Sequence, residues 1–272
     1  MNTQKLMYKD TEFVLDTYWL DPISDFTSTV KHPVVIICPG GGFTFHSDRE
    51  AQPIALKFAS EGVHALVLHY QLITNNETVY PLALQELATT LNWLKSQADI
   101  HLIDLNKIIL IGFSAGGQIV ANYNSLMTDP ETVQKIFSDP IEVQPKVNVL
   151  CYSVIDLTLG YPDSTEYAEQ ISSDKIYWSA QEHLTSNSKP TFIWQTVDDE
   201  TVPVLNSITY AQKLNAIGIP YELHLFGSGR HGLSLASRVT QHPGEDSYVV
   251  PADAKWWELC INWLKLQKVL PN

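Results

Sequence analysis

Short apolar runs alternate with amphipathic stretches along most of this chain. Pro33-Val-Val-Ile-Ile-Cys38, Ala65-Leu-Val-Leu-His69, Ile108 to Ile111, Val147 to Ser153 and Thr191-Phe-Ile-Trp-Gln195 are almost continuously hydrophobic, the pattern of strands buried on both faces of a mostly parallel sheet. Between them, residues 50–61, 81–97 and 204–217 read as helices, the second with Pro81 at its start. Phe13 to Leu20 alternates loosely, as an antiparallel edge strand does, and Asp21 to His32 is rich in turn formers. Tyr221 to Phe226 is a further alternating strand, and Ala252 to Val269 closes the chain as an amphipathic helix. Strands alternating with helices predict an α/β class: a mostly parallel central sheet with helices on both faces and right-handed crossovers. No linker-like segment divides the sequence, so residues 1–272 are expected to form a single domain.

One segment breaks the pattern. Residues 155–189 are polar and aromatic without clear periodicity, and predict a small cap or long loop over the active face. Its Tyr161 and Trp178, with Phe43 from an earlier loop, are the candidate substrate contacts.

Composition narrows the function classes. Lys+Arg 17 against Asp+Glu 30 leaves a net charge of −13, which repels nucleic-acid backbones and anionic membrane surfaces. The first residues carry no apolar run after their lysine and no window spans a bilayer, so a cytosolic protein is expected. Cys38, Cys151 and Cys260 sit in apolar contexts without metal-ligand spacing, and read as core residues rather than disulfides or zinc ligands. No metal or organic cofactor is implied. The expected partner is a small molecule, and association into a homo-oligomer stays open.

The chemistry concentrates in loops at the carboxyl ends of the strands, where open α/β sheets place their sites. After Ile108 to Ile111 comes Gly112-Phe-Ser114-Ala-Gly-Gly117, then a segment from Gln118 that begins like a helix. A strand, sharp turn and helix around G-x-S-x-G lifts a serine hydroxyl off the strand tip, and the Ala115 N–H opens the helix towards an anion. Serine needs a base within reach, itself oriented by an acid. His231, in Gly227-Ser-Gly-Arg-His231-Gly232, leaves the end of a strand and is favoured over His242, which reads as an ordinary turn, and over His224 within the strand. For the acid, Asp199 sits where the loop after Gln195 turns, Asp198 is its close competitor, and Asp156 is a more distant one. Three glycines, Gly40 to Gly42, let backbone N–H groups approach a ligand, so Gly41, Gly42 and Ala115 are candidate oxyanion donors.

Together these segments resemble the α/β-hydrolase fold, and more narrowly its esterase/lipase and acetylxylan-esterase-like branch. Pro39-Gly-Gly-Gly-Phe43 is similar to that branch's oxyanion segment, and Ser47-Asp-Arg-Glu50 with Pro53-Ile-Ala55 to its following helix. Gly112-Phe-Ser-Ala-Gly-Gly117, Asp198-Asp-Glu-Thr-Val-Pro203 and Gly229-Arg-His-Gly-Leu-Ser-Leu235 match its nucleophile, acid and histidine loops. The resemblance implies Ser114 as nucleophile, Asp199 as acid and His231 as base of a serine carboxylesterase acting on small, short-acyl esters, with acetylated sugars as candidates. An amidase or peptidase on the same fold, or a non-catalytic ligand-binding relative, are the alternatives. The chain departs from many relatives at Cys38-Pro39 and Gln118, where they carry histidine, and at Tyr70-Gln71, where they carry a Tyr-Arg pair.

Overall fold

A computed structural model of the chain describes residues 1–21, 30–74 and 77–271. Its strands are β1 (Asn2–Tyr8), β2 (Thr11–Tyr18), β3 (His32–Cys38), β4 (His64–His69), β5 (Ile103–Phe113), β6 (Val147–Cys151), β7 (Thr191–Thr196) and β8 (Tyr221–Phe226). Its helices are α1 (Gln52–Ala59), α2 (Leu82–Gln97), α3 (Ser114–Leu126), α4 (Pro130–Ile136), α5 (Thr165–Ile171), α6 (Leu205–Ala216) and α7 (Trp256–Leu266). The strands form one sheet in the order β1-β2-β4-β3-β5-β6-β7-β8. Pairing is parallel from β4 through β8, and antiparallel where β2 meets β1 and β4.

The uninterrupted apolar runs follow from a core on each face of this sheet. Val34, Ile36, Leu66, Leu68, Ile108 and Leu110 point to the layer built by α2, α3 and α6, whose Leu87, Leu91, Ile119, Val120 and Tyr210 they meet. Val35, Ile37, Ala65, Val67, Ile109 and Ile111 point the other way, towards Phe58 of α1 and Trp256, Ile261 and Leu264 of α7. Successive strand residues face opposite sides, so neither side can be polar.

Several boundaries differ from the sequence expectation. The expected edge strand, β2, lies second in the sheet, and the true edge is β1. Asn2–Tyr8 is exposed over most of its length, so it needs no apolar signature. The helix expected over residues 50–61 splits into a 3-10 turn, Asp48–Glu50, and α1, while the closing helix is a turn at Asp253–Lys255 followed by α7. Most of the turn-rich stretch Asp21 to His32 lies outside the described residues. The 155–189 segment is compact: it holds α5 and two 3-10 turns, and is tied on itself by Leu157 N–H to Trp178 O and Ala180 N–H to Ile155 O. The three cysteines are buried and free. Among the described residues no helix is long and apolar enough to cross a membrane.

Candidate active site

The turn at Ser114 is tighter than the sequence suggested, because α3 begins at Ser114 itself rather than at Gln118. Ser114 has φ +50, a left-handed conformation that costs about 1 kcal/mol or more in a non-glycine residue and persists only where packing enforces it. The packing is visible at the glycines. A Cβ on Gly116 would stand 2.1 Å from Cys38 O, and one on Gly117 would stand 1.9 Å from Ser153 Oγ. A Cβ on Gly112 would meet Gly116 O at 2.4 Å. The first turn of α3 therefore presses directly on the ends of β3 and β6, and only glycine fits.

Ser114 Oγ lies 2.8 Å from His231 Nε2, and His231 Nδ1 lies 2.7 Å from Asp199 Oδ2. An acceptor carboxylate at Nδ1 fixes the proton there and leaves Nε2 free to accept from the serine hydroxyl. The Asp199 side chain is fully buried, and its Oδ1 accepts the N–H groups of Thr201 and Val202, each at 2.9 Å. Those bonds hold the carboxylate in one orientation. Asp198 turns away: it accepts from Ser228 Oγ and Gly229 N–H, both at 2.7 Å, which lower its pKa and brace the histidine loop from outside. Asp156 binds Thr158 and Gln181 within the 155–189 segment and does not approach His231. His242 instead meets Arg49 Nη1 at 3.2 Å, and His224 binds Glu222.

Gly41 and Gly42 share one cavity of about 400 Å³ with Ser114, His231, Tyr161, Tyr167 and Tyr248. Both glycines have positive φ, +131 and +60, so the turn requires residues without a Cβ. The cap segment closes onto this turn. Tyr167 Oη donates to Gly42 O at 2.5 Å, and a Cβ on Gly42 would lie 2.8 Å from Tyr161 Oη.

Two expected substrate contacts are not at the cavity. Phe43 is fully buried in the core with φ +66, and its carbonyl accepts from Ile73 N–H. Trp178 is buried and donates its Nε1–H to Ser172 O, so its ring anchors the cap instead of facing Ser114. An aromatic residue in a loop reads the same whichever way the backbone turns it.

Two of the departures from relatives, at Gln118 and Gln71, have local explanations. Gln118 accepts from Tyr80 Oη at 3.1 Å and donates to Trp178 O, fastening α3 to the cap. Gln71 donates its backbone N–H to Glu86 Oε2 at 2.6 Å, while its side chain reaches Leu72 O. Burial pushes the Glu86 carboxyl up to about 8. Sequence reasoning did not single out Glu50, Arg49, Tyr152 or Tyr167 as site residues. Glu50 and Arg49 line the cavity, and the Tyr152 ring lies edge-on to His231, with centroids 5.1 Å apart.

With this geometry in view, the relatives are informative. Residues 20–214 match the BD-FAE family. The carboxylesterase Cest-2923 from Lactobacillus plantarum WCFS1 is similar over 100% of this chain and 98% of its own, at 45% identity and a TM-score of 0.98. An acetyl ester-xyloside bifunctional hydrolase from Caldicellulosiruptor lactoaceticus is similar at 30% identity and a TM-score of 0.77, covering 96% of this chain and 90% of its own. Endo-1,4-beta-xylanase B from Butyrivibrio fibrisolvens is 30% identical over 215 residues, 76% of this chain and 33% of the relative. The chain spans between 28% and 59% of the length of the curated relatives it matches. The chain belongs to the BD-FAE family of α/β-hydrolases.

Proposed function

We propose that this chain, as a single domain, hydrolyses small, short-acyl carboxylic esters through an acyl-enzyme, with acetylated carbohydrates as the substrate class. The observation that carries the reading is the unbroken line from Ser114 Oγ through His231 to the buried Asp199. Ser114 Oγ attacks the carbonyl carbon while its proton passes to His231 Nε2. That proton then leaves with the alcohol as the ester C–O bond breaks. Water repeats the attack on the acyl-enzyme, gives its proton to His231, and releases the acid and Ser114. Asp199 stabilises the imidazolium, and the N–H groups of Gly41, Gly42 and Ala115 receive the oxyanion.

The cavity supports a small acyl group, since the Tyr161 hydroxyl occupies the space beside Gly42. Its polar and aromatic lining supports a hydroxyl-rich alcohol. The names of two relatives, an acetyl ester-xyloside hydrolase and a xylanase, point the same way. Ser114→Ala is expected to abolish fluorophosphonate labelling and to lower p-nitrophenyl acetate hydrolysis by roughly a thousandfold or more. A turnover panel from acetyl to octanoyl esters, with acetylated xylo-oligosaccharides, tests the substrate class. Faster turnover of octanoyl than acetyl esters, or of an aminoacyl amide than p-nitrophenyl acetate, would refute it.

A further inference from the structure

The reaction as proposed leaves one buried charge beside the nucleophile without a role. Glu50 is 3% exposed, and among the described residues it makes no ion pair. Burying a carboxylate without a cation is costly unless hydrogen bonds replace its water. Here two do. Oε2 accepts the Gly40 N–H at 2.8 Å, and Oε1 accepts the Tyr152 hydroxyl at 2.6 Å.

Both partners lead into the catalytic machinery. Gly40 immediately precedes the Gly41-Gly42 turn, and a Cβ placed on it would lie 2.6 Å from Glu50 Oε2 and 3.0 Å from Ser114 Cβ. The carboxylate and the Ser114 side chain therefore both crowd against Gly40. The Tyr152 oxygen in turn accepts the Ser234 N–H at 2.9 Å, three residues beyond His231, while its ring packs on the His231 ring. Tyr152 takes φ +38 immediately after β6, so this contact is held against a backbone cost.

We infer that Glu50 is a positioning residue: through Gly40 N–H and the Tyr152 hydroxyl it fixes the oxyanion turn relative to the loop that carries His231. Charge-assisted hydrogen bonds are short and directional, and a reaction of this kind loses rate steeply when its donors drift by a fraction of an ångström. The inference rests on the Ser114 reading above. A glutamine cannot replace the carboxylate. Its carbonyl can accept from only one side, and its NH₂ would face either the Gly40 N–H or the Tyr152 oxygen. In each arrangement a buried donor proton is left unpaired.

The test compares Glu50→Gln, Tyr152→Phe and the double variant, with active sites titrated so that misfolded protein does not count. The readouts are kcat and KM for p-nitrophenyl acetate, and Ki for an aryl trifluoromethyl ketone, whose hemiketal places an oxyanion in the hole. In Glu50→Gln, kcat per titrated site should fall by about 10- to 100-fold with KM within about threefold, and the ketone should weaken by the same factor as kcat/KM. The double variant should be little worse than the poorer single one, because both cut one network. A merely structural role would lower Tm and the titratable fraction while leaving kcat per site and Ki unchanged, and that result overturns the inference. Should Glu50→Gln not fold, Tyr152→Phe decides, since it keeps the Gly40 bond and removes the hydroxyl that joins Glu50 to Ser234. Activity surviving in Ser114→Ala would sink the active-site reading itself. Activity lost there but parental in the Glu50 and Tyr152 variants would sink only the present inference.

Discussion

Asp199 and His231 meet at 2.7 Å with the aspartate side chain wholly buried, while Asp198, its neighbour in sequence, points outward to Ser228 and Gly229. The two carboxylates therefore differ in surroundings, and the proposed reaction uses only Asp199. Asp199→Asn would present an amide where the imidazole needs an acceptor, and is expected to lower kcat by roughly 10³- to 10⁴-fold. Asp198→Asn should change kcat by less than about tenfold, because it loosens only the outer brace of the loop. Steady-state kinetics on the two variants checks the assignment, and the opposite ranking would transfer the acid's role to Asp198.

Burial holds the Glu86 carboxyl near 8 against an ordinary value of 4.5. The sign follows from proton binding. Between those two values the native state retains a proton that the unfolded chain has released, so stability falls as pH rises from about 4.5 to about 8. Glu86→Gln keeps an acceptor for the Gln71 N–H and removes the charge. It should raise stability at pH 8 by on the order of 2 kcal/mol, with the gain fading towards pH 4. Denaturant titrations across that range measure it. A gain that is independent of pH would contradict the account.

The elbow glycines give a packing prediction. A Gly116→Ala methyl would meet the carbonyl oxygens of Cys38 and Pro39 at 2.1 and 2.4 Å, and backbone of a buried strand end cannot give way cheaply. The expected loss is roughly 2 kcal/mol or more, or insolubility. Gly227→Ala is the control, since nothing lies within 4 Å of the added atom, and it should stay within about 0.5 kcal/mol of the parent. Equal effects at the two positions would contradict the packing described here.

How far the sequence could be read varies with what each residue answers to. Strands β3 to β7 were legible because two cores demand apolar residues at most of their positions, whereas β1, exposed at the edge, answers to no such demand. The meeting of Ser114 and His231 was legible because both follow strand ends and few residue types suit the chemistry proposed for them. The choice between Asp198 and Asp199 was not, since it depends on one backbone rotation. Helix α4 was overlooked although Asp129-Pro130 carries its start signal, with the Asp129 side chain accepting Thr132 N–H at 2.9 Å. Glu50 was hidden for a different reason. An acidic residue ahead of a helix usually caps it in solvent, and only the folded arrangement turns this one inward.

The position of β8 has a final consequence. His231 hangs from the outermost ribbon of the sheet, which among the described residues is paired on one side only and is half open to solvent. Border segments unzip before interiors do. Mild denaturant should therefore silence hydrolysis while the circular dichroism of the remaining strands stays near native, making turnover an early gauge of fraying at that margin.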